Sequence, residues 1–150
     1  MYSVRQATEK DVVAIRDVAT KAWYNTYLNI YAASTVNELL AASYNETHLK
    51  KRLNEQLFLV AEEDSEIVGF ANFIYGEELY LSAHYVRPES QHKGYGTRLL
   101  EAGLKRFKDQ YETVYLEVDK IIAMASNIIR IMDSRLFAHI NLKCMVKSWI

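Results

Sequence analysis

The sequence predicts an α/β (α+β) fold, a mixed sheet in which antiparallel strands are followed by a βαβ unit, flanked by helices. Three observations carry this. Apolar runs at 57–61, 67–75 and 78–86 are joined by turns too short for a crossover, so their pairing is antiparallel. An amphipathic segment at 97–108 separates the last of them from an alternating run at 113–118, which makes a parallel pair bridged by a helix. The chain has 150 residues, 50% hydrophobic and 25% charged. That is enough for one domain, 1–150, with its own core and no need of staples.

Each element has a local cause. Val4 lies in a short first strand near 2–7. Thr8 with Asp11 three residues on makes a capping box for a helix whose apolar positions are Val12, Ile15, Val18, Ala19, Ala22 and Trp23. Trp23, Tyr24, Tyr27 and Tyr31 extend that helix with aromatic residues, either as core packing or as one wall of a substrate cleft. Ser34 is the expected cap of a second helix, with Val36, Leu39, Leu40, Leu49 and Leu53 inward. Lys50, Lys51 and Arg52 read as its solvated face. The period then changes to that of strands, with the acidic tip 62–65 as a hairpin turn. In the 97–108 helix, Leu99, Leu100, Gly103, Leu104 and Phe107 face inward.

Composition narrows the function. Eighteen Lys and Arg against 19 Asp and Glu leave a net charge of -1. This lacks the basic footprint of a non-specific nucleic-acid binder, so no nucleic-acid partner is expected. No apolar run reaches the roughly 20 residues of a membrane span, so no membrane is expected either. The N-terminal residues lack the layout of a signal peptide, and the single cysteine, Cys144, excludes an internal disulfide. A cytoplasmic location follows as the expectation. Cys144 itself reads as a core filler, and no metal-ligand cluster stands out.

The five glycines and one proline are unevenly placed. They fall at 69, 76, 94, 96 and 103 and at 88, so the last 47 residues hold neither type. The stretch from Tyr85 reads Tyr-Val-Arg-Pro-Glu-Ser-Gln-His-Lys-Gly-Tyr-Gly-Thr-Arg. Pro88 takes the chain out of the sheet. Gly94 and Gly96 precede a helix whose free N–H groups and dipole form an anion site suited to phosphates. Gln91, His92, Lys93 and Arg98 add donors or charge, and Tyr95 and Thr97 complete the loop. The Walker pattern Gly-Lys-Ser/Thr and the dinucleotide pattern G-x-G-x-x-G are both absent.

Gln91-His92-Lys93-Gly94-Tyr95-Gly96, preceded by Tyr85-Val86-Arg87-Pro88, resembles motif A of the GCN5-related N-acetyltransferases (GNAT), Q/R-x-x-G-x-G/A. The order of elements over 2–118 is similar to that family's, which implies an acyl-CoA N-acyltransferase-like sheet. The resemblance implies acetyl-CoA as cosubstrate, with its pyrophosphate on the backbone of 91–97. Its pantetheine arm would lie along the strand ending at Tyr85 and Val86, which in the family splays from the next strand. It further implies acyl transfer from acetyl-CoA to a primary amine, on a small molecule or a protein, by direct attack. Val86 N–H would stabilise the oxyanion. Glu78 is the first candidate base, and Tyr80, Ser82 and His84 share its strand face by the period of two. His84, with its near-neutral reference pKa, could serve instead. Glu117 and Asp119 at the next strand end are similarly placed.

The resemblance ends at about residue 121. The family continues with an Asn-rich turn, a helix bearing a catalytic tyrosine, and Gly-Phe, whereas here no tyrosine follows Tyr115 and no glycine follows Gly103. Codon arithmetic suggests a cause. Met124-Ala125 requires ATGGC and Met132-Asp133 requires ATGGA, so the frame starting on each third base reads glycine at both points. With suitable codons for 120–134 that frame reads Asn-Asn-Ser-Asn-Gly-Ile-Lys-Tyr-Tyr-Ser-Asn-Tyr-Gly-Phe, the missing motif. The hypothesis is a frameshifted tail, and gene sequencing that finds codons incompatible with this reading would sink it. Such a tail still offers a helix over 121–132, an alternating strand over 136–147 and a homodimer contact. A CoA-binding module with weakened catalysis is the alternative function.

Overall fold

A computed structural model describes residues 2–119 and 141–147. The elements are β1 Tyr2–Gln6, α1 Val12–Tyr27, α2 Ala33–Tyr44, α3 Glu46–Glu55, β2 Leu57–Glu63, β3 Glu66–Ile74, β4 Leu79–Val86, α4 Tyr95–Phe107, β5 Thr113–Asp119 and β6 Asn141–Lys147. They form a mixed sheet in the order β1-β2-β3-β4-β5-β6. The pairs from β1 to β4 are antiparallel, and β4–β5 and β5–β6 are parallel. β6 falls within the strand expected of the tail, while the expected helix over 121–132 lies outside the described residues.

Two apolar layers sandwich the sheet. On one face Leu99, Leu100, Leu104 and Phe107 of α4 meet Leu57, Leu59, Phe73, Leu79, Leu81 and Val114. On the other, Val12, Ile15, Val18, Ala19 and Trp23 of α1 meet Phe58, Val60, Phe70 and Ala83, with Val36, Leu40 and Leu49 from α2 and α3. The Thr8–Asp11 capping box is present at the start of the first helical segment. Arg5 donates to both Asp11 and Glu62, and its hydrogen bonds hold the Asp11 carboxyl below the usual range against the effect of burial. The hairpin between β2 and β3 turns on Asp64 and Ser65, both with positive φ, as a two-residue turn matched to strand twist requires.

The single second helix expected from Ser34 is two helices. Asn45 is extended, and its side chain accepts from His48 N at 2.8 Å, starting α3 and ending α2. Ser34 lies inside the first turn of α2, whose N-cap is Ala32. The new helix direction also overturns the solvated role of Arg52. Its guanidinium donates to Asn72 Oδ1 at 2.7 Å and to Ser43 O at 2.7 Å, and lies 5.2 Å from the ring centroids of both Tyr44 and Phe58. Asn72 is fully buried in β3, and its amide in turn donates to Gln56 Oε1 at 3.0 Å.

Candidate functional site

The site is built on an opening in the sheet. β4 pairs with β5 only over 79–81 against 114–116. Beyond Leu81 and Leu116 the two strands run on without register, β4 to Val86 and β5 to Asp119. On its other edge β4 stays paired with β3 to Val86. The edge of 82–86 that faces β5 therefore has no ladder partner among the described residues, and its N–H and C=O groups are open to a ligand.

The closed end of this opening coincides with a bulge. Asn72 pairs with Ala83 but Phe73 pairs with Leu81, so Ser82 is the extra residue. An inserted residue reverses the alternation of side chains. Leu79 and Leu81 belong to the α4-side cluster, whereas Ala83 and Tyr85 belong to the α1-side cluster. The shared face expected for Glu78, Tyr80, Ser82 and His84 is thereby broken. Tyr80 donates its hydroxyl hydrogen bond to Glu78 Oε2 at 2.8 Å and packs on Tyr115, with ring centroids 5.5 Å apart. His84 instead points to α4, where its Nε2 lies 2.6 Å from the carbonyl oxygen of Gly96. A carbonyl only accepts, so Nε2 carries the proton and donates. Burial pushes the His84 pKa below its ordinary value, against this hydrogen bond. His84 is thus neutral and occupied under the helix, not facing Glu78. Glu117 and Asp119 belong to β5, and their side chains lie outside the described residues.

At the open end lies the loop. After Val86, Arg87 N–H donates to Val68 O at 2.7 Å, and the chain makes a 3-10 turn over Pro88–Ser90. Arg87, only 6% exposed, donates Nε–H to Ile67 O at 2.9 Å and Nη1–H to Asp17. Burial alone raises Asp17, but bonds from Arg87 and Lys21 outweigh it and hold the carboxyl below the usual range. This brace of the loop to α1 was not legible in the sequence, because Arg87 looks there like an exposed loop cation beside Pro88. Gln91, His92, Lys93 and Gly94 are exposed, and the Gln91 amide donates to Val86 O at 3.4 Å.

The helix starts earlier than expected. Gly94, with φ of 89°, is the N-cap, and α4 begins at Tyr95, not Thr97. Positive φ at His92 as well turns the chain twice, so that backbone N–H groups converge at the helix start. The first intrahelical donor is Arg98 N–H, to Gly94 O at 3.1 Å. The N–H groups of Tyr95, Gly96 and Thr97 therefore have no helical acceptor and form the anion cradle. Two side chains expected there are directed elsewhere. Residues 95 and 98 are one turn apart and share the face packed on β1. The Tyr95 ring is buried edge-on to Tyr2 at 6.1 Å, and the Arg98 guanidinium lies 3.8 Å over the same ring. Tyr95 keeps only its backbone N–H for the cradle, and the N–H of Arg98 is already taken by Gly94 O.

The aromatic extension of α1 divides. Trp23, Tyr27 and Tyr31 line a small apolar depression of about 10 Å³ with Val36 and Leu39 of α2, while Tyr24 turns to Asn37. The Tyr85 ring packs on Trp23, with ring centroids 6.4 Å apart. Burial pushes the Tyr85 hydroxyl up to about 12. Among the described residues no group of three or more His, Cys, Asp or Glu is placed to hold a metal, and no helix is long and apolar enough to cross a membrane.

Known proteins resemble this chain in fold. The chain resembles the PaiA N-acetyltransferase of Thermoplasma acidophilum, solved with coenzyme A, at 26% identity over 73% of this chain and 74% of that one, with a TM-score of 0.70. A GCN5-related N-acetyltransferase structure from Rhodopseudomonas palustris is similar at 19% identity over 82% and 76% of the two chains, with a TM-score of 0.68. A GNAT family acetyltransferase of Brucella melitensis, solved with acetyl-CoA, is similar at 24% identity over 73% and 70%, with a TM-score of 0.55. No curated protein matches the sequence. The profile of the Acetyltransferase (GNAT) family matches residues 12–125, which includes the cradle and both strands of the opening. The chain belongs to the GNAT acetyltransferase family.

Proposed function

We propose that this protein transfers the acetyl group of acetyl-CoA to a primary amine by direct attack. The opening between β4 and β5 carries the proposal, because it runs from an anion cradle at one end to a closed end at Leu81, next to Tyr80 and its partner Glu78 on the paired part of β4. The pyrophosphate would rest on the N–H groups of 95–97, with Gln91, His92, Lys93 and Gly94 around it. The pantetheine arm would replace the missing ladder along 82–86. This direction moves the expected oxyanion donor. Val86 lies beside the cradle, so an extended arm carries the thioester past it to the bulge at Ser82, where backbone N–H groups leave the ladder.

At that end Glu78 is the proposed base. The tetrahedral intermediate forms when the neutral amine attacks the thioester carbon. Glu78 takes the ammonium proton by way of the Tyr80 hydroxyl, and the C–S bond breaks as the same hydroxyl returns a proton to the thiolate. The proton lost by nitrogen is the one gained by sulfur. The amine would enter from the aromatic depression of Trp23, Tyr27 and Tyr31, whose faces suit an apolar or cationic group.

Calorimetry with acetyl-CoA, CoA and ATP tests the cofactor, and a thiol-release assay over polyamines, amino acids and peptides tests transfer. The expected result is binding of both CoA species, no preference for ATP, and amine-dependent thiol release. A preference for ATP would overturn the acyl-CoA reading. CoA binding without turnover on any amine would favour the second reading, a binding module weakened by the departure of its sequence after residue 120, where the family tyrosine is absent.

A further inference from the structure

We propose that His84 is a positioning residue for the cradle, which holds the first turn of α4 in its ligand-binding form by donating Nε2–H to the carbonyl of Gly96. The inference rests on the acyl-CoA reading above and gives His84 a task other than proton transfer. His84 stands on the part of β4 that borders the opening, and the bulge at Ser82 turns its side chain towards α4. The partner carbonyl belongs to the second residue of the helix, between the cradle N–H groups of Tyr95 and Thr97.

This turn is weak by composition. It is entered through one glycine and carries another at its second position, and glycine costs a helix about 1 kcal/mol relative to alanine. A carbonyl has two lone pairs, so Gly96 O can accept from His84 without surrendering its place in the helix. The imidazole thereby ties the turn to β4, the strand that the pantetheine arm would follow. One side chain fixes the angle between the two parts of the ligand site.

The environment of Gly96 supports the same assignment. A Cβ placed there would lie 3.5 Å from both Cε1 and Nε2 of His84, an ordinary contact. A methyl group fits, and a larger side chain directed towards β4 would press on the imidazole, the nearest neighbour of residue 96.

The test compares His84→Leu and His84→Gln by calorimetry with CoA and with pantetheine, which lacks the diphosphate. Glutamine can present an N–H donor and leucine cannot. His84→Leu should weaken CoA about tenfold, the loss of one hydrogen bond with its ordering effect, and leave pantetheine unchanged. His84→Gln should restore CoA affinity to within about threefold of the native value. Native-like CoA affinity in folded His84→Leu, or an equal loss for pantetheine, would overturn the proposal. A long-range ¹H–¹⁵N spectrum of the native protein judges it without any variant. It should show His84 protonated at Nε2 and bare at Nδ1, and the reverse tautomer would overturn the brace. If the native protein binds no CoA, the acyl-CoA reading fails, while the tautomer still decides whether the brace exists.

Discussion

Gly94, Gly96 and Gly103 stand within ten positions of one another, yet each is a glycine for a different reason. At Gly103 a Cβ would come within 2.1 Å of the Phe73 ring, and Phe73 is fully buried. Gly103→Ala should therefore destabilise the fold by about 1–3 kcal/mol, measured by urea unfolding, because neither the ring nor α4 has room to move. At Gly94 there is space for a Cβ, but φ of 89° is left-handed. Gly94→Ala should cost about 1–2 kcal/mol from backbone strain alone. At Gly96 φ is not left-handed and a methyl fits, so Gly96→Ala should melt at nearly the native temperature and still bind CoA. Gly96→Leu should bind CoA poorly, and unchanged affinity would show that His84 does not limit this position. The sequence marks 94 and 96 as loop formers, but only the neighbours at each position separate strain from contact.

At the scale of elements, the strand–loop–helix unit from 79 to 107 was largely legible. Proline and glycine act on their own backbone, so Pro88 and Gly94 locate the exit from the sheet and the entry to α4 to within two residues. The α2–α3 region was less so. Its apolar spacing suits one long helix, and the break depends on Asn45 finding donors in the next turn. Once α3 is redirected, Arg52 and Asn72 become mutual partners under Tyr44. Arg52→Ala leaves a buried amide oxygen unpaired and should cost about 1–3 kcal/mol. Arg52→Ala with Asn72→Ala should cost less than the sum of the two single changes, as a double-mutant cycle would measure. Strict additivity would mean that the pair does not interact.

At the scale of the molecule, titration links the site to stability. Burial lowers His84 from its ordinary 6.5, so the native state binds fewer protons there than the unfolded chain. The associated stability is present above about pH 6.5 and is lost as the pH falls from there towards the folded value. Asp11 and Asp17 are also depressed, and their contributions fall away in the acid range below the ordinary carboxylate value of 3.8. Urea unfolding should show a decline in stability beginning near pH 6.5, well before the carboxylates titrate. His84→Gln should remove that first decline and keep the second. A flat profile from pH 7.5 to 5.5 in the native protein would contradict the burial of a neutral imidazole.

By itself the sequence determined the order of the strands, the position of the phosphate loop and the family resemblance up to residue 121. These depend on periodicity and on proline and glycine, whose effects reach only a few residues. Tertiary structure alone decided which side chains meet at the site. The bulge at Ser82 is defined by pairing with β3, and it sends His84 and Tyr80 to opposite faces where the period of two would keep them together. The β4–β5 register brings Tyr115 to Tyr80, and Arg87 finds Asp17 at 70 positions' distance. Such partners are fixed by how the sheet closes and the helices pack on it, which no local pattern contains.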